Sequence, residues 1–139
     1  MATLTIEEGL VAGLKATAGI TTLVSTRVYN LRIPQNSTLP CITIARVSTP
    51  RVHAHDSSGS AGTAYPRMQI DAWATTQKAA KQIADAVRTY LNGLKATITS
   101  GADSVVVQSA LIDQESPEFD TESELYRVRS DYIVWHVEA

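Results

Sequence analysis

Hydrophobic and polar residues alternate along the stretch YPRMQIDAWAT, which runs from Tyr65 to Thr75. Successive side chains of a strand point to opposite faces, so this alternation predicts a strand with one apolar face. That face has the composition of an ordinary core. The opposite face is polar and charged, yet it ends in the largest apolar side chain. It carries Arg67, Gln69, Asp71 and Trp73.

The stretch ELYRVRSDYIVWHVE near the end of the chain repeats this pattern and predicts a long final strand. Its apolar side again has the composition of a core. Its other side carries Arg127, Arg129, Asp131, Ile133 and Trp135. Both strands therefore place arginine, aspartate and finally tryptophan on the side of the sheet that we expect the helices to leave uncovered.

The start of the chain has the hydrophobic spacing of an amphipathic helix, from Thr5 to about Thr17. Thr5 and Glu8 have the spacing of a capping box, in which a hydroxyl and a carboxylate each accept from a free backbone amide. We expect Gly19 to end this helix and ITTLV to add one further turn. The predicted buried stripe is Ile6, Leu10, Val11 and Leu14.

A second amphipathic helix is predicted from Gln77 to Leu94, with Thr75 or Thr76 as its N-cap. Lysines, glutamine, aspartate and arginine fall on one side, which predicts a solvated face. The predicted buried stripe is Ala79, Ile83, Ala86, Val87, Tyr90, Leu91 and Leu94.

Two further strands complete the predicted fold. CITIARVS, from Cys41 to Ser48, alternates and is rich in β-branched residues, and SVVVQSALID has a similar composition. Between SVVVQSALID and the final strand, QESPEFDTES is interpreted as an acidic hairpin connection. The order helix, strand, strand, helix, strand, strand predicts an α+β fold. We expect one domain over 1–139, with a mainly antiparallel four-stranded sheet and two main helices on one of its faces.

A long segment rich in serine, glycine and alanine separates the first two predicted strands, at about 49–64. Its composition is typical of a mobile loop. Compact domains rarely keep so long a loop without a function, so we expect it to dock on a partner. The residues predicted for docking are His53, His55, Asp56, Ser57, Ser58 and Gly59.

Composition narrows the class of protein. With 139 residues and 44% hydrophobic content, one domain can bury a sufficient core without disulfides or metals. The single cysteine and the lack of a basic leader indicate an intracellular protein, and no apolar run is long enough to span a membrane. A net charge of −2 and the absence of a basic stripe argue against a nucleic-acid-binding module.

Candidate chemistry is sparse. His53 and His55 could bind zinc, but a zinc site needs three or four ligands, so a small metal-dependent enzyme is a remote alternative. The serine and glycine residues match neither a nucleophile elbow nor a phosphate-binding loop. We therefore predict no enzymatic activity, no catalytic or metal-binding residue and no cofactor.

The acidic residues of the predicted hairpin connection have two possible environments. A solvated hairpin is the default. Alternatively, the carboxylates meet arginines of a neighbouring subunit, such as Arg27, Arg32 or Arg51. The acidic residues are Asp113, Glu115, Glu118, Asp120, Glu122 and Glu124.

Two alternatives likewise remain for the tryptophan-bearing strands. The chain's own loops could cover Trp73 and Trp135, or a second copy or partner could bury this side, since tryptophan and arginine are enriched at protein interfaces. The residues predicted to form a subunit or partner interface are Arg67, Gln69, Asp71, Trp73, Arg127, Arg129, Asp131, Trp135, Glu118, Asp120 and Glu122.

Three stretches resemble the tail completion (tail terminator) proteins of long-tailed bacteriophages. They are the start TIEEGLVAGLKATAGITTLVSTRVYNLRIPQNSTLP, the strand and helix YPRMQIDAWATT and KAAKQIADAVRTYL, and the closing LYRVRSDYIVW. The closest agreement lies in Pro66, Arg67, Gln69, Ile70, Asp71, Trp73 and Ala74, and in Tyr126, Arg127 and Trp135.

The resemblance implies a structural virion protein that is assembled in the cytoplasm of the bacterial host. Such a protein forms a ring, usually a hexamer, at the head-proximal end of the tail tube. The ring stops polymerisation of the tube and offers a surface to the connector of the head. The implied partners are the tail tube protein and a stopper protein, and DNA passes through the ring without specific recognition. A stopper or adaptor of the neck is the alternative in the same class.

Overall fold

The computed structural model describes residues 5–33, 38–49, 63–122 and 124–137. The described residues form three helices: α1 (Ile6–Lys15), α2 (Ala18–Val24) and α3 (Gln77–Leu91). They also form seven strands: β1 (Val28–Asn30), β2 (Cys41–Ser48), β3 (Thr63–Ala64), β4 (Arg67–Ala74), β5 (Ala96–Ser100), β6 (Asp103–Asp120) and β7 (Leu125–Val137).

Six of these strands lie side by side in one curled sheet, in the order β1-β2-β4-β7-β6-β5, and the short β3 pairs with β7 off this path. β1 runs parallel to β2, and the other neighbours are antiparallel. The prediction of a four-stranded antiparallel sheet with two helices was therefore wrong. β1 and β5 have only three and five residues, which is too few for a clear alternation of hydrophobic and polar positions.

Helix α1 begins as predicted. The Thr5 hydroxyl accepts from the backbone N–H of Glu8, and the Glu8 carboxylate accepts from the Thr5 N–H, so both halves of the capping box are present. The helix ends at Lys15 and not at Gly19, which lies inside α2 instead. ITTLV therefore belongs to a separate short helix. A seven-residue helix leaves little periodic signal in a sequence.

Helix α3 begins after Thr76, whose hydroxyl accepts from the backbone N–H of Ala79. It ends at Leu91, three residues before the predicted end. Asn92 is extended, and Gly93 has a φ of 86°, a conformation that glycine adopts without steric cost. The side chains of α3 that are buried are Ala80, Ile83, Ala84, Val87 and Leu91.

The predicted acidic hairpin connection is mostly strand. β6 continues through Asp120, and β7 begins at Leu125. Pro117 suggested a turn, but β6 lies at the edge of the sheet in this region, where a proline does not interrupt hydrogen bonds between strands. Because β6 and β7 are long, they form an extended hairpin.

The hydrophobic core lies between the three helices and one face of the sheet. α1 supplies Ile6, Leu10 and Leu14, and α3 packs over β4 and β7. The sheet contributes the even-numbered, apolar side chains of β4, as the alternation predicted. The odd-numbered side chains of β4 therefore lie on the other face of the sheet.

Candidate functional site: the charged face of the sheet

The two tryptophan-bearing strands are neighbours, and their polar side chains lie on the same face of the sheet. In the pairing of β4 with β7, Gln69 lies opposite Asp131, Asp71 opposite Arg129, and Trp73 opposite Arg127. We call this surface the charged face. Its residues are Arg67, Gln69, Asp71, Trp73, Arg127, Arg129, Asp131 and Trp135.

Asp131 is the centre of one half of the charged face. Its side chain is almost fully buried, with 1% of the residue exposed. Arg67 Nη1 lies 3.2 Å and Gln114 Nε2 lies 2.9 Å from its Oδ2, and Arg129 Nε lies 3.4 Å from its Oδ1. A buried charge is costly unless it is paired and hydrogen-bonded. Here the buried carboxylate is paired and hydrogen-bonded by three donors, each from a different strand: β4, β6 and β7.

Asp71 is the centre of the other half and is 6% exposed. Gln69 Nε2 donates to its Oδ2 over 2.8 Å, and Arg127 Nη1 lies 3.8 Å from the same oxygen. Among the described residues, its Oδ1 has no hydrogen-bond partner. Burial raises the pKa of the Asp71 carboxyl, and the hydrogen bond from Gln69 and the charges of Arg127 and Arg129 only partly offset this effect.

Trp73 is half-buried, and two polar side chains, Thr43 and Arg127, contact its indole. Its indole N–H donates to the Thr43 hydroxyl on β2 over 3.0 Å. The guanidinium carbon of Arg127 lies 5.2 Å from the centre of the ring, which is a cation–π distance. Trp73 is thus held in place by its own chain, with part of the ring still exposed.

Trp135 is half-buried by an aromatic neighbour. Tyr65, two residues before β4, stacks on its ring with centroids 4.3 Å apart and an interplanar angle of 15°. Trp73 is thus contacted by side chains of two neighbouring strands, and Trp135 by Tyr65 from the segment before β4. The rest of each indole remains accessible in the described structure.

The arginines form the outer layer of the charged face. Arg67, Arg127 and Arg129 are each partly exposed, whereas the carboxylates of Asp71 and Asp131 beneath them are buried. Their guanidiniums therefore have one side on a carboxylate and another toward solvent. A guanidinium held this way loses less side-chain entropy when it docks on a partner.

Part of the acidic segment pairs with these arginines inside the same chain. Arg67 Nη2 lies 2.5 Å from Asp113 Oδ2, and Arg127 Nη2 lies 2.7 Å from Glu118 Oε2. Glu118 therefore lies beside the charged face and pairs with one of its arginines. Asp120 and Glu122 lie apart from it, at the turn, where the Glu122 backbone N–H donates to Asp120 Oδ1 over 3.1 Å.

The structure adds residues that the pattern did not indicate. Gln114 reaches the charged face because an irregularity in register between Ile112 and Gln114 shifts the alternation of β6 by one residue. Thr43 and Tyr65 contact the two tryptophans from other segments. Thr43 reaches Trp73 because β2 pairs with β4.

The chain matches the family described as "Tail completion protein gp17" over residues 8–137. The chain belongs to this tail completion family. A solved chain from the structure described as "Virion of native gene transfer agent (GTA) particle" has the same fold, with a TM-score of 0.70 at 18% identity, and the match covers 96% of this chain and 95% of that chain. No curated protein matches the sequence.

The tail completion protein is a structural component of a phage-type virion, where it is part of the tail or neck. Among the described helices, none has the length and apolar character needed to cross a membrane.

The two histidines considered for metal binding, His53 and His55, lie outside the described residues. No three histidine, cysteine, aspartate or glutamate side chains within the described part of the protein are grouped to hold a metal. Burial raises the pKa of the Cys41 thiol to about 11, so this thiol is protonated and inert at neutral pH. The predicted docking residues lie outside the described residues: His53, His55, Asp56, Ser57, Ser58 and Gly59.

Proposed function

We propose that this tail completion protein forms a closed ring, a hexamer, on the head-proximal end of the tail tube. The ring stops polymerisation of the tube and offers the connector of the head a surface to bind. The observation that carries the proposal is the family match over residues 8–137. The tail tube protein and the stopper protein of the head are the proposed neighbours.

The charged face supports this proposal as the surface that a neighbour covers. Arg67, Arg127 and Arg129 are held over buried carboxylates, and two half-exposed indoles flank them. Arginine and tryptophan supply most of the strong contacts at protein interfaces. Preorganised side chains of this kind bind a partner without a large loss of entropy.

Electron microscopy of particles from a phage that lacks the protein tests the proposal. If the protein terminates the tube, the tails are longer than wild type and vary in length, and supplying the wild-type chain restores one length. Tails of normal length that fail to join heads would contradict termination and would indicate a stopper or adaptor of the neck.

A single-residue variant tests whether the charged face is needed for completing particles. Arg129→Ala removes a guanidinium whose hydrogen bond to Asp131 is long, at 3.4 Å, and Asp131 keeps the donors of Arg67 and Gln114, so the fold should persist. We expect fewer completed particles with Arg129→Ala. Lys81→Ala, an equivalent loss of charge on the exposed side of α3, is the matched control and should give normal yields.

A further inference from the structure

The hairpin of β6 and β7 ends in an apolar residue surrounded by acids. Its last strand pairs are Phe119 with Tyr126 and Asp120 with Leu125, and β4 ends alongside Tyr126. Phe119 is 50% exposed, although its ring packs against that of Tyr126 with the two ring centroids 4.9 Å apart. We call this end the tip. It consists of Phe119, Asp120, Glu122, Glu124 and Leu125.

A groove lies on the surface where α1 packs against β1 and β5, the two outermost strands of the sheet. α1 packs against both β1 and β5, which the curl of the sheet brings to the same helix. The groove has a volume of about 300 Å³, which is at the lower end of the range for ligand-binding clefts. Its lining combines apolar and charged side chains: Glu8, Val11, Ala12, Lys15, Asn30 and Ser100.

A strained turn stands at the edge of this groove, directly after Asn30. The Arg32 N–H donates to the Asn30 carbonyl over 3.0 Å, which closes a three-residue turn around Leu31 with a φ of 72°. A turn of this kind is rare, and the left-handed region costs a residue other than glycine about 1–2 kcal/mol. The turn leaves Leu31 72% exposed. Strain kept in an exposed, apolar turn is typical of binding sites.

The tip and the groove are complementary in character. The tip offers one aromatic ring and carboxylates. The groove offers the apolar side chains of Val11 and Ala12 and the charge of Lys15, and Arg32 lies in the turn that follows Asn30. Lys15 and Arg32 are both exposed. Glu8 also lines the groove, but its carboxylate accepts from the Thr5 cap, and it lies seven residues, about 10 Å, from Lys15 along the helix.

The two surfaces lie at opposite ends of one strand. β6 begins at Asp103, which pairs with Ser100 beside the groove, and it ends at Asp120 in the tip. A fully extended strand of this length would span about 56 Å, and the curl of the sheet shortens that span. A ring of identical copies requires two different, complementary surfaces on each copy, placed so that one copy reaches the next.

We propose that the tip of one copy inserts into the groove of the next. Phe119 packs on Val11 and under Leu31, while Glu122 and Glu124 face Lys15 and Arg32. This inference rests on the proposed ring and specifies the contact that closes it. The partner is a second copy of this chain, and the contact is separate from the charged face.

Two variants that each disable one side test this contact. Phe119→Ala removes the aromatic ring of the tip, and Ser100→Trp fills the groove from an exposed position. Native mass spectrometry of the full chain, free and bound to purified tail tubes, gives the number of copies per assembly. Each variant alone should lose closed assemblies, whereas thermal unfolding by circular dichroism should show that both remain folded.

Mixing the two variants separates a head-to-tail contact from a general loss of assembly. The Ser100→Trp chain keeps an intact tip, and the Phe119→Ala chain keeps an intact groove. The mixture should therefore form pairs of one chain of each kind, and no larger species. Rings from the mixture, or no pairs at all, would overturn the proposal.

Charge reversal provides a second, independent readout. Lys15→Glu should reduce assembly at least tenfold, and when Arg32→Glu is also present, adding Glu122→Lys and Glu124→Lys to the same chain should restore it. Lys95→Glu, the same change at an exposed residue outside both surfaces, is the matched control and should assemble like wild type. Val106→Ala, at another exposed apolar residue, is the control for Phe119→Ala.

The outcomes distinguish this contact from the proposed function. If the wild type forms rings on tubes and the tip and groove variants do so equally well, the tip-in-groove contact is wrong and the terminating ring stands. If the wild type forms no closed assembly, either free or on tubes, then both the ring and this contact are wrong.

Discussion

Arg67 links two aspartates that differ in exposure. Its Nη1 lies 3.2 Å from the buried carboxylate of Asp131, and its Nη2 lies 2.5 Å from that of Asp113, whose side chain is 44% exposed. One guanidinium therefore takes part in both a buried and a surface ion pair. The two pairs should differ in their contribution to stability, because water screens the second one.

Removing each aspartate in turn measures this difference. Asp113→Ala should change the free energy of unfolding by about 0–1 kcal/mol, as for other surface ion pairs. Asp131→Ala leaves three donors without their acceptor and should cost about 1–3 kcal/mol. Urea unfolding at neutral pH measures both variants. Equal losses would contradict the distinction between the buried and the surface pair.

The raised pKa of Asp71 predicts a dependence of stability on pH. Because the folded-state pKa lies above the ordinary 3.8, the folded chain binds this proton more tightly than the unfolded chain does. The contribution of the protonated Asp71 to the free energy of unfolding is therefore fully present below pH 3.8. It is lost as the pH rises through the raised folded-state pKa.

Asp71→Asn removes this titration and serves as the reference. Other carboxylates titrate in both chains, so the difference between wild type and variant isolates Asp71. Urea unfolding at several pH values should show the wild type gaining stability relative to Asp71→Asn as the pH falls toward 3.8. A difference that stays constant with pH, or one that changes in the opposite direction, would contradict the raised pKa.

Two glycines allow α1 to lie close to its neighbours. A Cβ on Gly9 would collide with Val105 Cγ1, and one on Gly13 would collide with the Tyr90 hydroxyl. The valine is β-branched and cannot move aside easily. Gly9→Ala should therefore destabilise the fold by about 1–3 kcal/mol through overpacking.

Gly19 is the matched control, because it lies in α2 with no atom within 4 Å of an added Cβ. Gly19→Ala should stabilise the chain by about 0.5–1 kcal/mol, since alanine is the better helix former. Thermal unfolding of both variants measures the two effects. A Gly9→Ala chain as stable as wild type would show that the packing of α1 on β6 is looser than described.

The half-exposed indoles report on burial of the charged face. If a neighbour covers this face, binding to tail tubes should shift tryptophan emission to the blue and should reduce quenching by acrylamide. Trp73→Phe and Trp135→Phe separate the two signals, since each variant retains one indole. Emission that does not change on binding would indicate that assembly leaves the charged face in water.

Sequence reasoning predicted the elements whose signals are local. The capping box of α1 and the N-cap of α3 depend on residues three positions apart, and alternation identified β4 and β7 and the composition of their outward sides. The secondary-structure propensities of the residues and the hydrophobic period along the chain are sufficient to predict these features. The resemblance to the tail completion family likewise came from local sequence motifs and their order and spacing along the chain, and the family match over residues 8–137 confirms it.

The remainder of the fold depends on contacts between distant residues. β5 has a single buried side chain, Ile98, so its strand character comes from pairing with β6. The irregular register near Gln114 brought that residue to Asp131, and no local pattern predicts such a shift. The burial of Asp131 likewise results from three neighbouring strands, and its own sequence position resembles that of a solvated aspartate.

The most direct test of the proposed ring is cryo-electron microscopy of purified tail tubes incubated with the full chain. A terminator should appear as one closed ring on a single end of each tube, with its subunits joined in a head-to-tail circle, and capped tubes should no longer grow when tube protein is added. Protein bound along the tube wall, or tubes that continue to grow with the chain bound, would contradict the account.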